Sequence, residues 1–309
     1  MSGNNHSRGS SLPACLPACS LASLLKAQGK LDEASSLCQR ALDARVSLLG
    51  PDHPHTLASA HLMASVHKDL GRTEDSEAIF RRVLVLREKI FGPDNPTTLV
   101  SVNALALLLK DQNRLPEAES LARRCLEARR RVLGDDHPHT LVSLSALSSI
   151  MHENGQHKQA LPLCQSAFEA RRRVLGVAHP DTCGSMGNLA LLLKDMGQYE
   201  EAESYAVSAL EGRQRLLGLH HPHTQASLKT ALDILQTQGR VAEVSGPGKI
   251  QASAKPASSS AVGQLSICGA CNAISVTRGA GACELFQRSA QSAAPALRLQ
   301  SHPLSLRTG

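Results

Sequence analysis

The stretch Val132-Leu133-Gly134-Asp135-Asp136-His137-Pro138-His139-Thr140 holds a helix stop and a helix start within nine residues. Gly134 can end a helix in a conformation that side-chain-bearing residues avoid. Pro138 then bars the preceding residue from continuing the helix, and suits the first position of a new one. The same punctuation returns along the chain. Gly50, Gly92, Gly134, Gly176 and Gly218 are each 42 residues apart. So are Pro54, Pro96, Pro138, Pro180 and Pro222, and Thr56, Thr98, Thr140, Thr182 and Thr224. A fixed period of this length is the mark of a repeat architecture. Four complete units follow, 51–92, 93–134, 135–176 and 177–218, with partial units at 20–50 and 219–244.

Each unit reads as two helices. Thr56 and its equivalents are placed to cap the first, with a hydroxyl for the free N–H groups of its opening turn. Leu99-Val-Ser-Val-Asn-Ala-Leu-Ala-Leu-Leu-Leu-Lys110 is a run of mostly good helix formers. A turn follows at Gly71, Asn113, Gly155, Gly197 and Gly239, residue types that tolerate a left-handed backbone. The second helix opens with acids such as Glu117 and Glu201 and closes with bases such as Arg129 to Arg131 and Arg213. That order complements the helix dipole at both ends. Pro162 lies one turn inside its helix and predicts a distorted start there.

Small residues recur near the start of the second helix: Ala34, Ser76, Ala118, Ala160 and Ala202. Seven residues on come Ala41, Val83, Cys125, Ala167 and Ala209. Both columns suit close helix pairing. Larger knobs are Leu21, Met63, Leu105, Leu147 and Leu189, facing Leu42, Leu84, Leu126, Phe168 and Leu210. Burying each is worth about 1.5–3 kcal/mol. A lone helix pair cannot cover such faces, so the units must stack into an all-α solenoid.

The 309 residues are 42% hydrophobic, 19% charged and only 2% aromatic, so the core must be built from Leu, Ala and Val. No apolar run is long enough for a spanning helix, and no membrane association is expected. The polar residues 1–11 carry no apolar stretch directly behind a basic cluster, so no signal peptide is expected. Nine unevenly spaced Cys do not form a disulfide framework, which favours a reducing interior. Residues 245–309 hold six basic residues and one acid, most of the net +6, while the body is near neutral. This tail is rich in Ser, Ala and Gly and reads as low-complexity and disordered, as does segment 1–19.

Little points to chemistry. The histidines near each Pro, among them His53, His55, His137, His139, His179, His220, His221 and His223, recur with the repeat and read as turn residues. Cys268-Gly-Ala-Cys271 lacks the further ligands of a zinc site and the surroundings of a redox dithiol. No nucleophile elbow, phosphate loop or zinc-protease motif is present, so no enzyme, metal or cofactor is expected. Arg45, Arg87, Arg129, Arg171 and Arg213 form a ladder. One reading is an anion- or RNA-binding stripe working with the basic tail. The other is dipole complementation with the pairs Glu127–Arg131, Glu169–Arg173 and Glu211–Arg215. A near-neutral body with almost no aromatics for base stacking favours the second, and nucleic acid is not the expected partner.

Asn188-Leu-Ala-Leu-Leu-Leu-Lys-Asp-Met-Gly197-Gln-Tyr199-Glu-Glu-Ala202, continued to Ala206, Ala209 and Leu210, resembles the tetratricopeptide repeat. The inter-repeat Leu-Gly-x-x-His-Pro-x-Thr is similar to the kinesin light chain and nephrocystin group, over roughly residues 20–244. That resemblance implies a right-handed superhelix and a non-enzymatic adaptor of the cytoplasm, with the cytoskeleton as one setting. It also implies a partner protein or peptide, held in a concave groove lined by the first helices. Helical spacing assigns the groove positions His61, Ser65 and Lys68; Asn103, Leu107 and Lys110; Ser145, Ser149 and His152; and Gly187, Leu191 and Lys194. Asn188 matches the family's peptide-contacting Asn, and the lysines suit acidic ligand groups. Kinesin light chains join their motor through a heptad coiled coil, and residues 1–20 show no heptads.

Overall fold

The computed structural model describes residues 12–238 and the strand residues 241–244, 250–253, 263–267 and 274–278. Eleven α-helices lie among these residues. The first helices of the units are α1 (Leu12–Ala27), α3 (Pro54–Asp69), α5 (Pro96–Asp111), α7 (Pro138–Glu153), α9 (Pro180–Asp195) and α11 (Pro222–Thr237). The second helices are α2 (Leu31–Leu49), α4 (Thr73–Phe91), α6 (Leu115–Leu133), α8 (His157–Leu175) and α10 (Tyr199–Leu217). Every first helix has 16 residues and every second helix 19. The sequence period is therefore also the period of the backbone. Ordered repeat begins at Leu12 rather than at residue 20, so the first unit has a full first helix and the expected boundary moves.

Each helix end follows from local chemistry. His53, Asn95, His137 and His179 are the N-caps, and their side chains accept from the N–H two residues on, at 3.2, 2.9, 3.1 and 3.2 Å. Imidazole Nδ1 here does what the Asn95 carbonyl oxygen does, which explains why His and Asn share the position. The expected cap, Thr56, plays another part. It is the third residue of its helix, and its hydroxyl donates backward to Gly50 O at 2.8 Å, as Thr140 does to Gly134 O at 2.7 Å. Between the helices of a unit the chain turns through a left-handed residue, Gly71 or, uniquely among the described non-glycine residues, Asn113 at φ 60°. The N–H of the next residue then reaches back five positions, Arg72 to His67 O and Arg114 to Leu109 O, both at 2.9 Å. α8 starts at His157, in register with the other second helices despite Pro162, and the one local difference is that Gln159 N–H donates to Gln156 O at 3.0 Å.

Successive helices pack against one another from α1 to α10, and first helices also touch across units, α1 on α3, α3 on α5, α5 on α7 and α7 on α9. First helices therefore form the inner layer. Ala34, Ser76, Ala118, Ala160 and Ala202 are fully buried where the two helices of a unit cross. They face a second small column on the first helices, Ala22, Ala64, Ala106, Ser148 and Ala190, equally buried. The contact is close enough for the Ser76 hydroxyl to donate to Ala64 O at 2.7 Å. Met63, Leu105, Leu147 and Leu189 are core residues as expected, but Leu21 is 50% exposed and Leu42 half-buried. Both lie in the first described unit, so no described unit packs on its outer side.

The chain divides into two units, Met1–Thr230 and Ala231–Gly309. In the second, β1 (Val241–Val244) pairs antiparallel with β2 (Ile250–Ser253), and β3 (Gly263–Ile267) with β4 (Ile274–Arg278). Val241–Val244, placed by the sequence in the partial repeat unit 219–244, is thus a strand. The expectation of disorder over 1–19 and 245–309 otherwise falls on residues outside those described, as do Gly239, Cys268, Cys271 and Cys283.

Candidate functional site

Buried arginines hold the units in register. Arg87 on α4 donates through Nη1 to Thr97 O at 3.0 Å and Ser101 Oγ at 2.7 Å, and through Nη2 to Leu57 O at 3.5 Å. Arg129 repeats this with His139 O at 2.8 Å, Ser143 Oγ at 2.7 Å and Leu99 O at 3.3 Å. One guanidinium thus ties a second helix to the next unit and to its own. Arg45, Arg87, Arg129 and Arg171 are buried, and burial pulls the pKa of Arg87, Arg129 and Arg171 down. A solvent-facing stripe for RNA or phosphate cannot be built from them. The dipole account also misses their main work, because their donors go to specific acceptors. The receiving serines, Ser59, Ser101, Ser143, Ser185 and Ser227, share the 42-residue period, a signal the sequence reading passed over.

The neighbouring arginines differ from expectation too. Arg131 pairs with Asp94 at 2.6 Å and Arg173 with Asp136, each joining the end of a unit's second helix to the loop that opens the same unit, rather than with Glu127 and Glu169. Arg215 Nε donates to the backbone oxygen of Glu211 at 3.3 Å. The antiparallel pairing of a unit's two helices brings the acid of its opening loop within reach, and that contact replaces the one on the same helix.

The inner layer carries the groove positions. Lys68 pairs with Asp111 at 3.1 Å, Lys110 with Glu153 at 2.8 Å and His152 with Asp195 at 2.7 Å; Lys26 and Asp69 form the same rung at 3.1 Å. Lys26, Lys68 and Lys110 are neutralised by the next unit, not chiefly by the acid beside them in sequence, and His152 is hydrogen-bonded to the next unit in the same way. They serve as ties between units before they serve a ligand. His61 is largely buried against Phe80, ring centroids 5.1 Å apart, with its Nδ1 unpartnered. Burial, with the charges of Arg87 and Lys26, lowers its pKa to about 4. Asn103 is buried with its Oδ1 unpartnered, while Asn188 is exposed. Ser65 accepts from Lys26 Nζ at 2.7 Å, and Ser145 from Arg171 at 2.8 Å. Leu191 and Lys194 are partly exposed.

Four of these positions meet at one place. A cavity of about 400 Å³ is lined by Leu107 of α5, Ser145 and Ser149 of α7, and Asn188 of α9. Arg171, Arg213, Asp181 and Leu217 complete its walls and were not foreseen. Gly184 lines it, and Gly187 lies one turn further along α9. The equivalent positions in α7 are Val142 and Ser145, and in α5 Val100 and Asn103.

Four overlapping stretches, residues 14–84, 57–131, 100–173 and 147–215, match the sequence model of the tetratricopeptide repeat. The chain belongs to the tetratricopeptide repeat family. No curated protein matches the sequence. Among solved structures it is similar to a kinesin light chain of Podosopora anserina with nearly identical TPR-like repeats. The two are 22% identical over 67% of this chain and 98% of that one, with a TM-score of 0.56. BtubC (BKLC) from P. vanneervenii is 21% identical over 65% of this chain and 80% of that one, TM-score 0.53. A Rap protein solved with competence and sporulation factor is 12% identical over 76% of this chain and 67% of that one, TM-score 0.58. At these identities the likeness is one of fold.

Within the repeat array, the family's turn histidines are structural, since His53, His137, His179 and His221 all act as caps. No group of His, Cys, Asp and Glu able to hold a metal occurs among the described residues. Burial pushes the Cys38 and Cys164 thiols up to about 11, which keeps them from acting as nucleophiles. No described helix is long and apolar enough to cross a membrane. Tetratricopeptide solenoids are a protein-interaction scaffold fold, and this array shares it.

Proposed function

We propose that the array is a non-enzymatic adaptor of the kinesin-light-chain-like type, working in the cytoplasm. Its inner layer takes an extended peptide of a partner protein. The observation that carries this reading is the cavity spanning α5, α7 and α9, where Leu107, Ser149 and the exposed Asn188 converge on one open space. A rigid row of stacked helices presents that space already formed, so a peptide binds without the cost of ordering its receptor. The Rap protein, solved with a bound factor, lends support by analogy of fold.

The test is capture of partners from a cytoplasmic extract by the whole chain, compared with the Asn188→Ala, Lys194→Ala double variant. Loss of a specific set of partners in the variant, with a shallow dependence on salt, is the expected result. A steep fall with salt points instead to nucleic acid held through phosphates, and would overturn the reading.

A further inference from the structure

Arg213 breaks the rule of its ladder. Arg87, Arg129 and Arg171 each place Nη2 on a backbone carbonyl of their own unit, Leu57, Leu99 and Leu141. The matching acceptor for Arg213 is Cys183 O, and no such bond forms. Arg213 keeps only its Nη1 contacts, to His223 O at 3.2 Å and Ser227 Oγ at 2.6 Å. It is also partly exposed where the other three are buried. Its Nη2 lies over Gly184, 3.4 Å from where a Cβ would stand. A charged donor without an acceptor therefore faces the cavity at the point where the chain has removed a side chain.

We propose that this notch is a subsite for one acidic side chain, Glu or Asp, of the partner peptide, with Arg213 as the residue that selects it. This inference rests on the groove reading above and adds the identity of one ligand group. A carboxylate completes the unused half of the guanidinium with a charge-assisted bond, the strong kind. Asn188 stands at the same opening with an amide that can donate to the second oxygen. Leu107 and Leu217 cover the methylenes of such a side chain. Asp181 on the rim sets the limit: one negative charge balances the two arginines against it, whereas a phosphate dianion meets repulsion. The rungs of Arg87, Arg129 and Arg171 offer no counterpart, because their Nη2 atoms are already bonded.

The test uses the full chain. Random peptides displayed on phage are selected against it, then resynthesised with fluorescein and capped ends. Recurrent Glu or Asp at one position is expected. Changing that residue to Gln should weaken binding about tenfold or more for the native chain, the scale of a charged hydrogen bond. On Gly184→Val, which carries the residue natural to Val142, the acidic peptide should bind no better than its Gln form, while the unfolding midpoint stays unchanged. Arg213→Met should give the same loss of discrimination, and Gly184→Val guards against a folding defect in that variant. Selected peptides without an acid, an undiminished Glu-to-Gln difference on Gly184→Val, or tighter binding of a phosphoserine form would each overturn the subsite and leave the scaffold reading standing. Failure to select any peptide would remove both.

Discussion

Arg129 on α6 and Ser143 on α7 lie fourteen residues apart and meet at 2.7 Å, buried, across a unit boundary. The same interval joins Arg45 to Ser59, Arg87 to Ser101, Arg171 to Ser185 and Arg213 to Ser227. This bond connects one repeat to the next, and it makes the strength of the interface depend on a polar group as well as on apolar burial.

Replacing Arg129 by Met should therefore cost about 2–4 kcal/mol, since the side chain's stem is retained while His139 O, Leu99 O and Ser143 Oγ lose a donor. Arg129→Lys should recover only part of this, because one ammonium cannot reproduce the fork. A urea titration followed by circular dichroism measures both. A midpoint unmoved by Arg129→Met would show that the ladder contributes nothing to stacking.

The cap position gives a gentler contrast. His137→Ala should destabilise by about 1 kcal/mol, the usual worth of a cap. His137→Asn should be close to neutral, because Asn95 fills the equivalent site with a 2.9 Å bond. Thermal unfolding of the two variants side by side distinguishes capping from mere space filling; equal losses would argue against it.

Ala118 is fully buried where α5 and α6 cross. Ala118→Leu should force the pair apart at a cost of roughly 1–3 kcal/mol. A lowered melting temperature with helicity retained at low temperature is the expected result, and an unchanged melt would contradict the packing register.

His61 supplies a pH dependence. Burial first, then the charges of Arg87 and Lys26, lower its pKa from 6.5 to about 4. The unfolded chain thus takes up the proton before the folded one does. Stability is complete above pH 6.5 and falls as the pH drops from 6.5 towards 4. His61→Asn, the residue found at position 103, should flatten that slope. Denaturant midpoints at several pH values across the window decide it, and parallel slopes for the two proteins would exclude His61 as the cause.

Much of this fold is legible before any coordinates. Gly, Pro and Thr at a 42-residue spacing set the unit length, and the small residues at 34, 76, 118, 160 and 202 mark the helix crossing. Legibility weakens wherever a residue's role depends on which partner the fold brings to it. Thr56 has the chemistry of a cap but the position of a back-bonding residue, so His53 takes the cap instead. Arg131 has Glu127 one turn away and still pairs with Asp94. The groove set was assigned by helical spacing alone. Spacing identifies which face a residue shares, but it could not show that Asn103 is buried while Asn188 is open.

The sequence by itself determined the period, the all-α class and the obligation to stack, because these depend on backbone preferences and apolar periodicity, which are local properties. Tertiary structure alone decided which polar groups are consumed in holding the stack together and which are left over. Lys68 and Lys110 are tied to acids of the next unit, whereas Arg213 retains a donor above Gly184. That difference comes from distances between units, and a repeat that looks uniform in sequence becomes uneven once each arginine and lysine has met, or failed to meet, its acceptor.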